Sequence, residues 1–102
     1  MAQIWNPQTA TLHLPNELDF SSLAAWVKQN KVLKLPVERI DFSALKNTDS
    51  SVLSLLVFLA AELQKRQSSK TIEVVNMPSQ LQTLVELYDM HSVFHYYANP
   101  TV

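Results

Sequence analysis

No glycine occurs anywhere among the 102 residues. Average usage near 7% would supply roughly seven in a chain of this length. A Walker A loop, a dinucleotide-binding turn and a glycine-lined oxyanion loop all need backbone that approaches a phosphate, or takes positive φ, with no Cβ in the way. The chain is therefore expected to bind no nucleotide by those means. Cysteine is absent as well, which removes thiol nucleophiles, disulfides and thiolate zinc sites and is compatible with a reducing cytosol. Neither sign of charge dominates. Eight Lys and Arg face nine Asp and Glu, for a formal net charge of -1, and no long basic run occurs. That balance argues against a protein whose main affinity comes from nucleic-acid phosphates. Also missing are a run of eighteen apolar residues and, at Met1 to Trp5, the basic and apolar regions of a signal peptide. A soluble, cytoplasmic protein is the expectation.

What is present is enough apolar material for one core. Hydrophobic residues make up 47% of the chain, and a domain of this size buries roughly 60 to 70% of its unfolded surface without help from a metal or disulfide. One domain over residues 1–102 is expected. Ala2–Trp5 and Thr9–Leu14 read as short strands separated by Asn6-Pro7-Gln8, with Ala10, Leu12 and Leu14 on one side and Thr9, Thr11 and His13 on the other. A helix is expected to begin near Phe20–Ser22, with Leu23, Trp26 and Val27 inward and Lys28 and Lys31 outward. After Pro36, Val37–Phe42 reads as a central strand and Ser43–Thr48 as a loop.

The strongest periodic signal runs from Asp49 or Ser50 to about Arg66. Val52, Leu55, Leu56, Leu59 and Leu63 follow the spacing of one buried helical stripe. Thr71–Asn76 reads as a strand. Pro78-Ser79 opens a third helix whose core face is Leu81, Leu84, Val85 and Tyr88, and Val93–Tyr97 is either a last short strand or coil. Strands alternating with helices predict an α/β domain: a mixed sheet of four to five strands packed with three or more helices on one face or both.

Several polar clusters carry possible chemistry. Asp49-Ser50-Ser51 closes a loop and opens a helix. Side-chain oxygens there can cap free N–H groups, or a hydroxyl can be presented where a phosphate is stabilised. On that helix, with 100° per residue, Val52, Leu56, Leu59 and Leu63 cluster on one side, whereas Ser51, Ser54, Glu62, Lys65 and Phe58 fall on the other. A phenylalanine on that polar side is either covered by a neighbouring helix or is the aromatic anchor of an interface.

Other candidates are weaker. His91 and His95 lack a third nearby ligand, so no metal site is expected. Asp41 with Ser43, and Asp19 with His13, supply catalytic residue types without triad order or oxyanion donors, so no catalytic residues are assigned and no enzyme is expected. Lys28, Lys31 and Lys34 form a weak basic stripe, read first as a solvated face and second as a phosphate or lipid-surface contact. Trp5 reads as a packing residue in an edge strand.

Taken in order, Glu17-Leu18-Asp19, Ile40-Asp41-Phe42-Ser43, Asp49-Ser50-Ser51-Val52-Leu53, Leu87-Tyr88-Asp89-Met90 and Val93-Phe94 resemble the STAS domains, found in sulfate transporters and anti-sigma-factor antagonists. The resemblance covers nearly the whole chain. It implies a STAS-type fold, with Ser50 at the position phosphorylated in anti-sigma antagonists and Asp19 nearby. The short chain and the Thr83-Leu84, Leu87-Tyr88 pattern are most similar to the stand-alone STAS subunits of the Mla phospholipid-transport ABC system, which maintains outer-membrane lipid asymmetry. That likeness implies a non-enzymatic subunit, without cofactor, that binds the ABC-transporter ATPase and through it the permease at the inner membrane. Ser50, Ser51, Ser54 and Phe58 would form the contact, with Asp19 and Asp49 in support. The alternative is an anti-sigma-factor antagonist switched by a kinase at Ser50.

Where family members usually carry glycine after the phosphorylated residue, this chain has Ser51 and Val52. A β-branched residue near the surface a kinase would approach favours a permanent docking surface over a switch. Asn16 and Asn76 stand where other family glycines fall, and asparagine best tolerates left-handed backbone after glycine. Both are expected to hold special backbone positions.

Overall fold

Alternation in the strands decides which side of the sheet is covered. The computed structural model describes residues 4–88 and 95–96. Its elements are β1 (Trp5–Asn6), β2 (Thr11–His13), β3 (Glu17–Leu18), α1 (Leu23–Gln29), a 3-10 turn (Val32–Lys34), β4 (Arg39–Asp41), β5 (Asn47–Thr48), α2 (Val52–Arg66), β6 (Glu73–Val75), α3 (Ser79–Leu87) and β7 (His95–Tyr96). Five strands form one mixed sheet in the order β1-β2-β4-β6-β7, in which only the β1–β2 pair is antiparallel. β3 and β5 form a separate parallel pair.

In register, Leu12, Ile40 and Val74 lie side by side and are buried together with the stripe of α2 and with Leu81 and Val85 of α3. The next row along the strands, Thr11, Arg39 and Glu73, points the other way. There the Arg39 guanidinium meets Glu73 at 3.1 Å, and Thr11 shares a 2.8 Å hydroxyl contact with Thr9. The helices therefore cover the apolar face and leave a polar row opposite. Trp5, opposite Leu12, packs half-buried on the core.

α2 holds this layer in place. All five residues of the expected stripe are buried, and Leu53 and Ala60 join them. Full burial of one leucine is worth ~1.5–3 kcal/mol. By contrast α1 buries none of its residues; Leu23, Trp26 and Val27 only lean on the core.

Four local expectations are corrected. β1 includes Asn6, which pairs with Thr11; Ala2 and Gln3 lie outside the described residues. The Ser43–Thr48 loop contains a short strand, because Asn47 and Thr48 find ladder partners in Glu17 and Leu18. Tyr88 is 57% exposed rather than part of the α3 core face. It is the C-cap that follows the last helical residue. Asn76 does take positive φ, at 60°, but Asn16 does not; among the described residues the other two left-handed ones are Ala10 and Lys31, each at 52°. Asp89, Met90, His91, Val93, Phe94 and Tyr97 fall outside the described residues.

Candidate functional site

The parallel pair β3–β5 delivers two helix starts to the same place. The Asn16 carbonyl accepts the N–H groups of Lys46 at 2.8 Å and Asn47 at 3.1 Å, closing that pair. This double acceptance is the job Asn16 performs instead of a left-handed turn. Directly after β3 comes Asp19, and directly after β5 comes Asp49.

Each aspartate closes the turn that leads into its own helix. Asp19 Oδ1 accepts the Ser21 hydroxyl at 2.8 Å and N–H at 3.1 Å, and the Ser22 hydroxyl at 3.1 Å and N–H at 3.2 Å. The Ser22 hydroxyl in turn accepts the Asp19 N–H at 3.1 Å. Asp49 Oδ1 accepts the Ser51 N–H at 3.0 Å and the Ser51 hydroxyl. Its other oxygen accepts the Phe20 N–H at 3.1 Å. Asp49 thus ties the turn that starts α1 to the turn that starts α2, and Phe20 is held out at the junction, 83% exposed.

These contacts lower the pKa of both carboxyls. For Asp49 the Ser51 hydroxyl acts most strongly, followed by the N–H groups of Phe20 and Ser51. For Asp19 the Ser21 hydroxyl leads, desolvation opposes it, and the Ser22 hydroxyl and the N–H groups of both serines add to the lowering. Both side chains are anions at neutral pH. The Ser51 and Phe20 N–H groups, which would otherwise face an incoming anion, are already bonded to Asp49.

Ser50 is exposed, and unlike Ser51 its hydroxyl is not drawn onto Asp49. Ser51 and Ser54 line a groove of about 410 Å³ together with Phe58, and Phe20, Leu23 and Val27 form its opposite side. Phe58 remains 41% exposed there, so its α1 neighbours only partly cover it. The structure thus brings Ser51, Ser54 and Phe58 into one surface, with Ser50 beside it and Asp49 and Asp19 behind it. Phe20 belongs to that surface, although the sequence reading treated it only as a helix start. Its signal was present: an aromatic immediately after the capping Asp19, in a turn of small polar residues. Val52 faces the core at 1% exposure, so it offers no bulk to an approaching kinase.

A second polar cluster lies where β2, β4 and β6 end. His13 Nδ1 is 3.2 Å from Asp41 Oδ2, so the histidine pairs with Asp41 and not with Asp19. Asp41 Oδ1 accepts the Asn76 amide at 3.0 Å and the Ser43 N–H at 2.9 Å. Burial pushes the Asp41 carboxyl up, but Asn76, Ser43 and the charge of His13 together outweigh it and lower the pKa. Left-handed Asn76 is what turns the chain so that its amide reaches Asp41. The cluster ties three strand ends together. Ser43 enters it through its backbone N–H, and no hydroxyl nucleophile is bonded to His13 among the described residues. Nor does any group of three or more His, Asp and Glu among the described residues suit a metal ion. The pair of His91 and His95 includes a residue outside that set.

The family model described as "Mlab, STAS domain" matches residues 1–95. The chain belongs to this family. STAS domains are generally non-catalytic, and membership supports a regulatory or accessory role. The architecture agrees, with α1, α2 and α3 packed on a mixed sheet. A comparison with curated proteins gives no match. Among the described residues no helix is long and apolar enough to cross a membrane.

Proposed function

We propose that this STAS domain is a non-enzymatic, cytoplasmic subunit that docks on the ATPase of an ABC phospholipid transporter, an MlaF-like protein, and stabilises or tunes it. Through that ATPase it sits beside the permease at the inner membrane and serves outer-membrane lipid asymmetry. The observation that carries the reading is the paired exposure of Phe20 and Phe58 on either side of a groove edged by Ser51 and Ser54. Exposed aromatics around a partly formed apolar groove are the anchors from which protein interfaces draw most of their energy. Ser50, at the rim, supplies a free hydroxyl to the contact. Asp49 and Asp19 act behind it, holding both helix starts in register. The partner brings the glycine-rich nucleotide loop that this chain lacks.

Isolation of the native chain with its bound partners tests the reading. Co-elution of an ATPase and a membrane permease is expected; a serine kinase or a sigma-regulatory protein in their place contradicts it.

The exposed Ser50 hydroxyl favours one second reading, a phosphorylation-switched anti-sigma-factor antagonist. Against it, a phosphate on Ser50 would stand next to ionised Asp49, whose oxygens already hold the nearest N–H groups. Intact-mass analysis of native protein separates the two. Unmodified chain is expected, and stoichiometric phosphate supports the switch.

A further inference from the structure

Lys28, Lys31 and Lys34 recur at every third position, and the fold gathers them round a single groove. Lys31 takes left-handed backbone, φ 52° and ψ 40°. That reversal turns the end of α1 into the 3-10 turn and brings Lys34 to the same groove as Lys28. The groove holds about 530 Å³, and Ala24, Val27 and Leu33 line it beside the lysines. No acidic side chain lines it. Among the described residues none of the three lysines is in an ion pair, whereas Lys65 and Lys70 are matched to Glu62 and Glu38. In a chain of net charge -1, this is a local excess of positive charge; among the described residues the carboxylate in the adjoining pocket, Glu62, is paired with Lys65. Leu33 stands in its midst, 51% exposed, while the preceding Val32 is buried.

This composition separates two kinds of occupant. Cores of protein–protein interfaces are depleted of lysine and prefer arginine and aromatics. Flexible lysine stems that cover apolar surface and lift their ammonium groups to one side suit headgroup phosphates, with exposed leucine reaching the acyl boundary. We propose that the face formed by α1 and the 3-10 turn binds the surface of an anionic phospholipid bilayer. Lys28, Lys31 and Lys34 contact the headgroup phosphates and Leu33 enters the interfacial layer. The two grooves adjoin and share Ala24, Val27 and Leu33, but the three lysines line only the basic one, and the proposal does not depend on the ATPase reading.

Co-sedimentation of the full chain with vesicles is the test. Phosphatidylcholine vesicles containing about one third phosphatidylglycerol should bind the chain, and pure phosphatidylcholine vesicles should not. Binding should weaken as salt rises. Each Lys→Gln change at Lys28, Lys31 or Lys34 should lower partitioning about fivefold, and Leu33→Ser should lower it without changing the salt dependence. Lys46→Gln, at an exposed lysine elsewhere in the fold, should leave it unchanged, and far-UV circular dichroism should show all variants folded. Several results would overturn the proposal. They are absence of binding, equal binding to neutral vesicles, a loss at Lys46→Gln matching that at Lys31→Gln, or competition by inorganic phosphate alone. A Lys28/Lys31/Lys34→Gln variant that still binds vesicles but loses the ATPase would likewise overturn it, as a protein contact.

Discussion

Helices α1 and α2 begin in the same way, each after an aspartate that follows a two-residue parallel strand, and end up differently anchored. Over its 15 residues α2 presents an unbroken apolar stripe and buries seven side chains. α1 stops after seven residues at Asn30 and left-handed Lys31, and it buries none. A common capping device therefore does not determine how firmly a helix is held; the length of the stripe behind it does. The consequence for function is a division of labour. α2 is a firmly packed platform whose outer flank presents Ser51, Ser54 and Phe58. α1 is a lightly held cover that carries Lys28 on its exposed side and leads to Lys31 and Lys34 in the turn that follows, while Leu23 and Val27 line the groove facing α2.

The largest effects should separate the two helices by stability. Leu56→Ala in α2 is expected to cost ~2–5 kcal/mol in urea unfolding. Val27→Ala in α1 should cost less than half of that, since its side chain is only half-buried. Equal costs would remove the distinction between platform and cover.

Acid should strike the hydrogen-bonded aspartates next. Asp19, Asp41 and Asp49 all have folded-state pKa values below the ordinary aspartate value of 3.8. A carboxyl with a depressed folded pKa contributes stability that is complete above its unfolded pKa and lost as pH falls through the folded one. Glu38 is lowered likewise, by Lys70, from an ordinary value of 4.5, so stability should be flat through neutral pH, begin to decline as pH drops below 4.5 and decline further below 3.8. Asp49→Asn should shrink that decline and lower the neutral-pH Tm by a few degrees. Hydrogen exchange at constant pH gives the sharper comparison. Asp19→Ala should speed exchange of α1 amides and leave the α2 interior protected; loss of protection in both would mean that the two helices open as one unit.

The smallest effect concerns the end of α1. Lys31→Gly relieves a side chain held at positive φ and should raise stability by up to ~1 kcal/mol. The same change removes a lysine from the basic groove, so vesicle binding should fall while Tm rises. A fall in both would place the role of Lys31 in folding alone.

Much of this arrangement was legible in the residues. The α2 stripe was readable because period and burial coincide at Val52, Leu56, Leu59 and Leu63. Phe58 stood out for breaking that pattern. Asn76 could be read as a glycine substitute because asparagine tolerates left-handed backbone. Ala10 and Lys31, which share that backbone, could not, because neither residue type favours it; at Ala10 the carbonyl accepts the N–H groups of both Glu38 and Arg39, whereas Lys31 is held by local bonds to Lys28 and from Lys34. The pairing of His13 with Asp41 was likewise hidden, since it follows from parallel register across β2 and β4 rather than from spacing along the chain. Phe20 was missed because its exposure depends on Asp49, 29 residues away, holding its backbone N–H.

The docking claim rests on Phe58 more than on any other side chain. Titration calorimetry of wild-type chain and Phe58→Asp against the partner ATPase, with Tm measured for both, tests it directly. Affinity should fall by about thirtyfold or more, with little change in Tm because the side chain is 41% exposed. A folded Phe58→Asp variant that binds the ATPase as tightly as the wild type would contradict the account.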